Sequence, residues 1–317
     1  MLLVHSDALD FPRHIARASA QLAYLDPPFS VGMAFGARTK KSEMRGRYVK
    51  DKGSFAYDDR WPSLEHYLTW LEPRLAATRE LLCPRGTAWL HLDQRAVHDA
   101  KRVCDRVFGA KAFVGEVVWV PGNGTKARRG PGVGHQTILI YAAGKTFIWN
   151  GRDPALRAPF AATSLSMHFT NQDAEGRAYR ERTIGGKTYR YYADEGRALG
   201  SVWTDCPAMV ANTPLCAEGT GYPTQKPLKL LERIVRAASE PDGLVIDPFC
   251  GSGTTLHAAA RMGRQGAGCD IGELAMKTAA TRLREAGIAL EVRQKVDSSG
   301  SCPPPRRSPA LRSIRSS

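Results

Sequence analysis

The stretch with the clearest chemical meaning is a carboxylate followed by two prolines and an aromatic residue, Asp26-Pro27-Pro28-Phe29. The apolar run 22–25 before it predicts a buried strand that must end at the prolines, because proline has a fixed φ and donates no hydrogen bond to a sheet. Asp26 and a proline carbonyl can accept both hydrogens of a planar amine, while Phe29 stacks on the ring that carries it. This strand end therefore predicts a site for a nucleobase.

A second motif, near the other end of the chain, predicts a site for a larger ligand. The apolar run 244–246 leads into a glycine turn and then a helix of small residues, which leaves backbone N–H groups open at a helix N-terminus. The turn consists of Asp247, Pro248, Phe249, Cys250, Gly251, Ser252, Gly253 and Thr254. A further predicted strand, 265–270, ends in Asp270, an acid that can bind both hydroxyls of a ribose. The turn lacks the third glycine that lets a pyrophosphate approach, and this argues against a dinucleotide.

Three further positions could contribute to the same chemistry. The motif Thr224-Gln225-Lys226-Pro227 precedes a predicted helix, and Lys226 can neutralise a carboxylate. Asp7 follows a predicted strand at Leu2–His5, which places it at a sheet edge, and its local pattern suits a helix N-cap equally well. His91 ends another predicted strand, where a histidine is more often a hydrogen-bonded structural residue than a catalytic one.

The elements that must position these motifs alternate between strands and helices. Strands are also predicted at 87–92, 114–120 and 135–142, the last two as an antiparallel hairpin at the sheet edge. Helices are predicted at 63–82, 97–108, 228–238, 256–262 and 273–285, with Ser63 as the cap of the first and Pro73 as a point that kinks or divides it. At 317 residues, the chain suits one large α/β domain with an insertion, or two domains.

Two basic, glycine-containing stretches are predicted to be loops that contact a phosphate backbone. Residues 31–59 have few apolar positions and predict a long mobile loop beside the nucleobase site. Residues 121–134 have a similar composition. The candidates for phosphate contact are Arg38, Lys40, Lys41 and Arg45 in the first stretch and Lys126, Arg128 and Arg129 in the second.

A change of residue composition between 144 and about 216 predicts a small inserted module. In it, Arg180, Arg182, Lys187 and Arg190 alternate with tyrosines around a predicted hairpin turn at 185–186. This interleaving suits contact with nucleic acid, although an ordinary basic hairpin explains it almost as well. We interpret the module as the part of the protein that selects the sequence acted upon.

Composition limits the classes of partner. The chain has 45 Lys and Arg against 31 Asp and Glu, and the net charge of +14 favours a polyanion or an anionic membrane over a merely solvated basic surface. The seven cysteines form no Cys-x-x-Cys, so a metal site is not expected and the thiols should be reduced. No signal-peptide pattern or membrane-length apolar run occurs, which predicts a cytoplasmic protein associated with the nucleoid.

The three motifs, in this order, resemble the signature motifs of the β-class DNA amino-methyltransferases, in which the cofactor motif comes last. The resemblance covers nearly all of residues 2–286. It implies an α/β, Rossmann-like fold that depends on S-adenosylmethionine and is circularly permuted, with a mostly parallel sheet, an antiparallel hairpin and a small inserted target-recognition region. The implied parts are a catalytic half (1–143), the target-recognition region (144–220), a cofactor-binding half (221–295) and a disordered basic tail (296–317).

The same resemblance assigns a cofactor site for S-adenosyl-L-methionine. Phe249, Gly251 and Gly253 match the turn beside the cofactor, and Asp270 matches the acid on its ribose. Thr224 and Lys226 match the segment near the methionine carboxylate, and Asp7 matches the acid near the adenine amino group. The other residues of these motifs that we assign to cofactor binding are Gln225, Asp247, Cys250, Ser252 and Thr254.

The resemblance also implies the reaction. Asp26, Pro27, Pro28 and Phe29 are the catalytic residues, which hold a base flipped out of double-stranded DNA. If Asp26 and the Pro27 carbonyl accept the two amine hydrogens, the nitrogen lone pair is directed at the sulfonium methyl group, and neither a metal nor a covalent intermediate is needed. The absence of a Pro-Cys motif argues against chemistry at cytosine C5.

Several alternatives stay open from the sequence. Asp at the first motif position leans toward N6 of adenine and Ser toward N4 of cytosine, so adenine is favoured and cytosine is the alternative. An RNA or protein amide methyltransferase, the more distant alternative, usually has Asn at the position of Asp26. A catalytically silent DNA-binding relative would need a damaged site, and no expected residue is missing. A cognate restriction endonuclease of a restriction-modification system and a second copy of the chain are the protein partners that the resemblance suggests.

Overall fold

The computed structural model describes residues 1–40, 48–122, 129–208 and 218–294, with 37–40 and 48–54 described by their backbone alone. Its strands are β1 (Leu2–His5), β2 (Ala20–Leu25), β3 (Ala34–Lys40), β4 (Tyr48–Asp58), β5 (Leu82–Leu92), β6 (Phe113–Trp119), β7 (Gln136–Ala142), β8 (Arg157–Ala158), β9 (Asn171–Gln172), β10 (Ala178–Ile184), β11 (Lys187–Tyr192), β12 (Arg197–Ala198), β13 (Val202–Trp203), β14 (Leu244–Asp247), β15 (Gln265–Asp270) and β16 (Glu291–Arg293). Its α-helices are α1 (Leu64–Leu81), α2 (Val97–Phe108), α3 (Ala162–His168), α4 (Leu228–Ala238), α5 (Thr254–Arg261) and α6 (Glu273–Glu285).

A mixed sheet of nine strands in the order β13-β6-β7-β5-β2-β14-β15-β1-β16 forms the centre of the fold. Its pairs are parallel except for β5 with β7 and β6 with β7. The predicted fold class, a mostly parallel sheet with an antiparallel hairpin, is confirmed. The two-residue strand β13 lies outside the hairpin, so the hairpin is one strand in from the edge rather than at it.

Helices cover both faces of the sheet because successive side chains of its strands point to opposite sides. Along β2, Ala23 and Leu25 pack in a cluster with residues of α1 and α2. Leu22 and Tyr24, on the other face, pack with residues of α4 and α5. The result is a three-layer α/β/α core that fixes the strand ends at which the motifs lie.

Helix α1 is one continuous helix. Ser63 caps it by accepting a hydrogen bond from the backbone N–H of His66, as predicted. Pro73 lies inside the helix and does not divide it. Leu71 and Leu75, on either side of the proline, are fully buried, so tertiary packing stabilises the helix on both sides of it.

The predicted loop at 31–59 is wrong, because most of this stretch is an antiparallel hairpin of β3 and β4. Its register shifts at two places near Gly36. The aromatic residues Phe35 and Tyr57 lie opposite each other at the base of the hairpin and stack with ring centroids 4.9 Å apart. Cross-strand aromatic pairs of this kind stabilise a hairpin whose basic and glycine residues had suggested a loop.

The region predicted to be an insertion contains a separate three-stranded sheet, β11-β10-β9. Strands β10 and β11 form the predicted hairpin, and Gly185 and Gly186 at its turn have φ of +58° and +78°, the conformation that a two-residue turn of this type needs. Strand β9 pairs with β10, and β8 pairs with β12. Val202–Trp203 then returns to the main sheet as β13.

Cys83, Cys104, Cys206, Cys250 and Cys269 are free thiols. None of the helices in the described parts of the chain combines the length and the apolar character needed to cross a membrane.

Candidate active site

The two predicted motifs converge because of the strand order. Strands β2, β14, β15 and β1 are consecutive, parallel neighbours. Their carboxyl ends therefore meet at one edge of the sheet, which is where ligands bind in open α/β folds. Each strand places an acid at or just beyond this edge, and these acids are Asp26, Asp247, Asp270 and Asp7.

An open cavity lies at this edge and is lined by residues from all three motifs. The predicted catalytic residues that line it are Asp26, Pro27, Pro28 and Phe29. The predicted cofactor residues that line it are Asp7, Thr224, Gln225, Lys226, Asp247, Phe249, Cys250, Gly251, Ser252, Thr254 and Asp270. Gly253 is not among the lining residues. It is the N-cap of α5 with φ of +74°, and a Cβ there would lie 2.9 Å from Cβ of Ala279, so it serves the close packing of α5 on α6.

The carboxylate of the first motif has a cationic partner. The Lys226 ammonium donates to both oxygens of Asp26, at 2.6 and 2.5 Å, and lies 4.9 Å from the centre of the Phe29 ring. Burial raises the pKa of Asp26, and the Lys226 charge and hydrogen bonds oppose this rise. The family resemblance placed Lys226 near the cofactor carboxylate, whereas in the structure its partner is the carboxylate of Asp26.

Asp270 holds the glycine turn against the end of β15. Its two oxygens accept hydrogen bonds from the backbone N–H groups of Gly251, at 2.9 Å, and Gly272, at 2.8 Å. Burial raises the pKa of Asp270, and these backbone donors oppose the rise. Each oxygen keeps acceptor capacity, so the carboxylate can still receive hydroxyl groups from a ligand.

Asp247 begins the same turn and is only 2% exposed. Burial raises its pKa to about 7, although the Phe249 N–H and the Thr255 hydroxyl donate to it and oppose the rise. Its charge therefore changes with pH near neutrality, a property that the motif alone did not indicate.

Asp7 caps a turn and not a helix, because the 3₁₀ helix Phe11–Arg13 has Asp10 as its N-cap; its role beside an exocyclic amine stays a prediction. One carboxylate oxygen accepts from the N–H of Leu9 at 2.8 Å, as a turn-capping residue does, and the other accepts from the Arg74 guanidinium at 2.6 Å. Arg74 also lines the cavity and lies 4.2 Å from the centre of the Trp70 ring. Asp7 is thus both a cap and a charged group of the cavity wall.

The third motif enters the cavity through a strained turn. Thr224 has φ of +57°, and its hydroxyl bonds the Pro223 carbonyl at 2.7 Å and the Tyr57 hydroxyl at 3.1 Å. Gln225 anchors the turn, since its amide bonds the Glu218 carbonyl and the Thr220 backbone and side chain. These contacts place Lys226 next to Asp26.

Several cavity residues were missed by the sequence analysis. Phe35, Tyr57 and Asp59 come from the β3–β4 hairpin, Trp70 and Arg74 from α1, and Tyr222 from the segment before the third motif. Burial raises the pKa of both Tyr57 and Tyr222, so both phenols are neutral hydrogen-bonding groups. The alternation of aromatic residues in 55–57 was the available signal for the hairpin.

His91 is a hydrogen-bonded structural residue, the role that the sequence favoured over a catalytic one. It is fully buried, shares a hydrogen bond of 2.6 Å with the Tyr24 hydroxyl, and packs edge-on against Trp119. Burial lowers its pKa, so the imidazole is neutral. It does not line the cavity.

The structure separates the predicted DNA-binding residues into groups. Lys41, Arg45, Lys126, Arg128 and the tail 296–317 lie outside the described residues, as do the side chains of Arg38 and Lys40. Arg129 is exposed. On the β10–β11 hairpin, Arg180 is half-buried against the rings of Phe160, Phe169 and Tyr191. Arg190 forms an ion pair with Glu181. Arg182 and Lys187 are exposed and form no ion pair within the described parts of the chain.

Among the residues that the structure describes, no group of His, Cys, Asp and Glu is arranged to hold a metal ion. Charged side chains of both signs line the cavity. Its lining carboxylates, Asp7, Asp26, Asp59, Asp247 and Asp270, outnumber its lining cations, Lys226 and Arg74.

Comparison with known proteins connects this site to one family. The family model described as DNA methylase, for N6 and N4 methyltransferases, matches residues 20–281. The chain is 28% identical over 309 residues to the type II methyltransferase M.EcaI of Enterobacter cloacae, an alignment that covers 83% of this chain and 64% of that protein.

Solved structures share the fold. The PvuII DNA methyltransferase, which is cytosine-N4-specific, superposes with a TM-score of 0.56 at 14% identity, over 94% of this chain and 87% of that one. TTHA0409 of Thermus thermophilus, in complex with S-adenosyl-L-methionine, superposes with a TM-score of 0.54 at 19% identity, over 93% of this chain and 98% of that one. The chain belongs to the DNA methylase family, the S-adenosylmethionine-dependent DNA amino-methyltransferases that act on N6 of adenine or N4 of cytosine.

Proposed function

We propose that this protein transfers a methyl group from S-adenosyl-L-methionine to N6 of an adenine that is flipped out of double-stranded DNA. One observation carries the proposal: the acceptor set Asp26-Pro27-Pro28-Phe29 and all residues of the turn 247–254 except Gly253 line the same cavity. A methyl donor and an amine must be within bonding reach of each other, so motifs on opposite sides of the molecule would have been incompatible with transfer.

The residues of the cavity fit the cofactor. Asp270 keeps acceptor capacity for ribose hydroxyls, and Gly251, with φ of +47°, adds no side chain of its own to the cavity wall. The excess of carboxylates suits a ligand that carries a sulfonium charge. When bound, S-adenosyl-L-methionine supplies an electrophilic methyl group.

The base would lie against the end of β2. Lys226 uses one acceptor position on each Asp26 oxygen, and a carboxylate offers about four, so Asp26 can still accept an N–H from the incoming amine. The Pro27 carbonyl is the second acceptor, and Phe29 offers its ring for stacking. With both hydrogens held, the amine lone pair is freed from the ring and can be aimed at the methyl group.

Lys226 contributes to this chemistry through its charge. Its charge and hydrogen bonds oppose the rise that burial causes in the pKa of Asp26, and this favours the ionised acceptor. After transfer the amine nitrogen is cationic until it releases a proton to solvent, and the nearby ammonium disfavours that charge and so promotes the release.

Cytosine N4 is the second candidate target. Asp at position 26 leans toward adenine, whereas the PvuII enzyme of the same fold is cytosine-N4-specific. Membership of the DNA methylase family favours DNA over the RNA and protein amide alternatives.

DNA contact is assigned to the inserted region, 144–220, between a catalytic half at 1–143 and a cofactor-binding half at 221–295. The exposed Arg182 and Lys187 support this assignment, because a phosphate backbone needs cations that no protein carboxylate has neutralised. A restriction endonuclease that recognises the same site, and a second copy of this chain, are the protein partners that we propose to test.

The test is methyl transfer from radiolabelled S-adenosyl-L-methionine to duplex DNA, tRNA and protein, followed by single-molecule sequencing of the methylated DNA. We expect label in DNA alone and N6-methyladenine at one short sequence. N4-methylcytosine would move the assignment to the second candidate, and label only in RNA or protein would overturn the proposal.

A further inference from the structure

Asp59 follows β4 directly and has a carboxylate that is saturated with hydrogen bonds. Oδ2 accepts from the backbone N–H groups of Phe29 and Val31, both at 3.0 Å. Oδ1 accepts from the backbone N–H of Ser30 at 2.8 Å and from the indole N–H of Trp61 at 2.9 Å. Asp59 is only 1% exposed. A carboxylate has about four acceptor positions, so none is left for a substrate.

The three backbone donors belong to the turn that leaves the catalytic motif. Ser30 in this turn has φ of +59°, a left-handed conformation that costs a non-glycine residue free energy and persists only when its surroundings hold it. Three consecutive N–H groups converging on one anion form such a support. The Asp59 backbone adds two more bonds, from Gly32 N–H at 3.0 Å and to the Met33 carbonyl at 3.1 Å.

The fourth donor connects this turn to the cofactor side of the cavity. The Trp61 ring packs on Trp70, with centroids 5.0 Å apart, and Trp70 packs on Phe249, with centroids 5.8 Å apart. Phe249 lies in the glycine turn of the cofactor motif. A continuous series of contacts thus runs from the Phe29 backbone through Asp59, Trp61 and Trp70 to Phe249.

We propose that Asp59 is a positioning residue, which fixes the Phe29 ring and the proline carbonyls relative to the methyl donor. This inference rests on the proposed function. Asp59 does not touch the reacting atoms in this assignment, because all of its acceptor positions are used within the protein. Its effect is on the geometry of transfer and not on cofactor affinity.

The decisive variant is Asp59→Asn, which keeps the size of the side chain but has only one acceptor oxygen. Its amide nitrogen would face two N–H donors, so half of the support is lost. We expect single-turnover methylation of DNA to slow by about 10²-fold, the effect of a misplacement of roughly 1 Å. The Kd for S-adenosyl-L-methionine, from calorimetry, should stay near that of the wild type.

Asp58→Asn is the matched control. Asp58 is the adjacent residue, is exposed, and pairs only with Arg60 within the described part of the chain. Its variant should methylate DNA at the wild-type rate. Trp61→Phe is a second variant that removes one donor and keeps an aromatic ring, and we expect a roughly tenfold slower transfer, the loss of one hydrogen bond to a charged group.

Hydrogen exchange provides a readout that does not depend on activity. In Asp59→Asn, the amide hydrogens of residues 29–31 should exchange at least about tenfold faster, while those of β14 and β15 keep their protection. Unchanged exchange at 29–31, or a wild-type transfer rate in a folded Asp59→Asn protein, would overturn the inference. If the wild-type protein methylates no DNA, the proposed function fails, and the exchange experiment still decides whether Asp59 holds the turn.

Discussion

The Lys226 ammonium and the Asp26 carboxylate form a bidentate ion pair at 2.5 and 2.6 Å, although the two residues are 200 positions apart in the chain. Both side chains are largely buried, with 8% and 18% of their surfaces exposed. A buried carboxylate without a partner tends to take up a proton, and a protonated Asp26 would accept fewer hydrogen bonds from an amine. The ion pair therefore favours the ionised form of the proposed acceptor.

The first prediction concerns this pair. Lys226→Met should raise the pKa of Asp26 further, because burial would act without an opposing charge. Single-turnover methylation at neutral pH should then fall at least about tenfold, and the acid limb of the pH–rate profile should move to higher pH. Lys229→Met is the control, since Lys229 is exposed and bonds Asp205. An unchanged acid limb in Lys226→Met would show that the ion pair does not control the pKa of Asp26.

The second prediction separates the roles of two acids. Asp26→Asn should slow transfer by about 10²–10³-fold, because one charged acceptor is lost, while cofactor affinity stays nearly unchanged. Asp270→Ala should mainly weaken cofactor binding, since it removes the proposed ribose acceptor and the support of the Gly251 N–H. Calorimetry and single-turnover kinetics on both variants test the assignment. The reverse pattern would exchange the two roles.

The third prediction follows from the pKa of Asp247, which is about 7 instead of 3.8. A cationic ligand favours the ionised carboxylate, so cofactor affinity should rise with pH through about 7 and fall by up to about tenfold for each pH unit below it. Asp247→Asn should flatten this dependence. Titration calorimetry in buffers of different ionisation enthalpy would also detect release of a proton on binding near neutral pH.

The Asp247 carboxyl has the opposite pH effect on the stability of the cofactor-free protein. Its folded-state pKa lies above the unfolded value, so its contribution to stability is complete below about pH 4 and is lost as pH rises through about 7. We therefore expect the Tm of the cofactor-free wild type to fall relative to that of Asp247→Asn as pH rises from about 4 through about 7. Thermal unfolding of both proteins across this interval measures the difference. A wild type that gains stability relative to the variant over this interval would contradict the assignment.

The fourth prediction concerns the β10–β11 hairpin, whose faces are set by its register. Arg182 and Tyr189 are paired, as are Ile184 and Lys187, and all four are exposed. On the opposite face, Arg190 is neutralised by Glu181. Arg182→Ala and Lys187→Ala should each lower DNA affinity and reduce the slope of log Kd against log salt by about one.

Fluorescence anisotropy with duplex DNA at several salt concentrations measures this slope. Arg190→Ala is the matched control in the same hairpin, and it should leave the slope unchanged because its charge is already paired. Arg180→Ala should instead destabilise the small sheet, since its guanidinium packs on three aromatic rings. Equal salt slopes for the wild type and Arg182→Ala would exclude this surface from phosphate contact.

Much of the architecture was predictable because its determinants are local. The prolines after Leu25 and the glycines after Asp247 end their strands through fixed or permissive backbone angles, and these effects do not depend on the rest of the chain. Helices α2 and α6 have the predicted bounds, since their apolar spacing is regular. The exception, the β3–β4 hairpin, is held by a cross-strand aromatic pair and by Asp59, and these contacts join residues about 20 to 30 positions apart.

The sequence by itself determined the chemical groups of the site: an acid with two carbonyls and a ring, a glycine turn, and an acid for a ribose. Only the tertiary structure decided which groups neutralise one another. The Asp26–Lys226 pair exists because α4 packs on β2, and Asp59 reaches the catalytic turn because the hairpin closes beside it. Likewise, strand register decides that Arg190 is paired with Glu181 while Arg182 lies exposed on the other face. Partner choice depends on distance in space, and a sequence specifies that distance only through the complete fold.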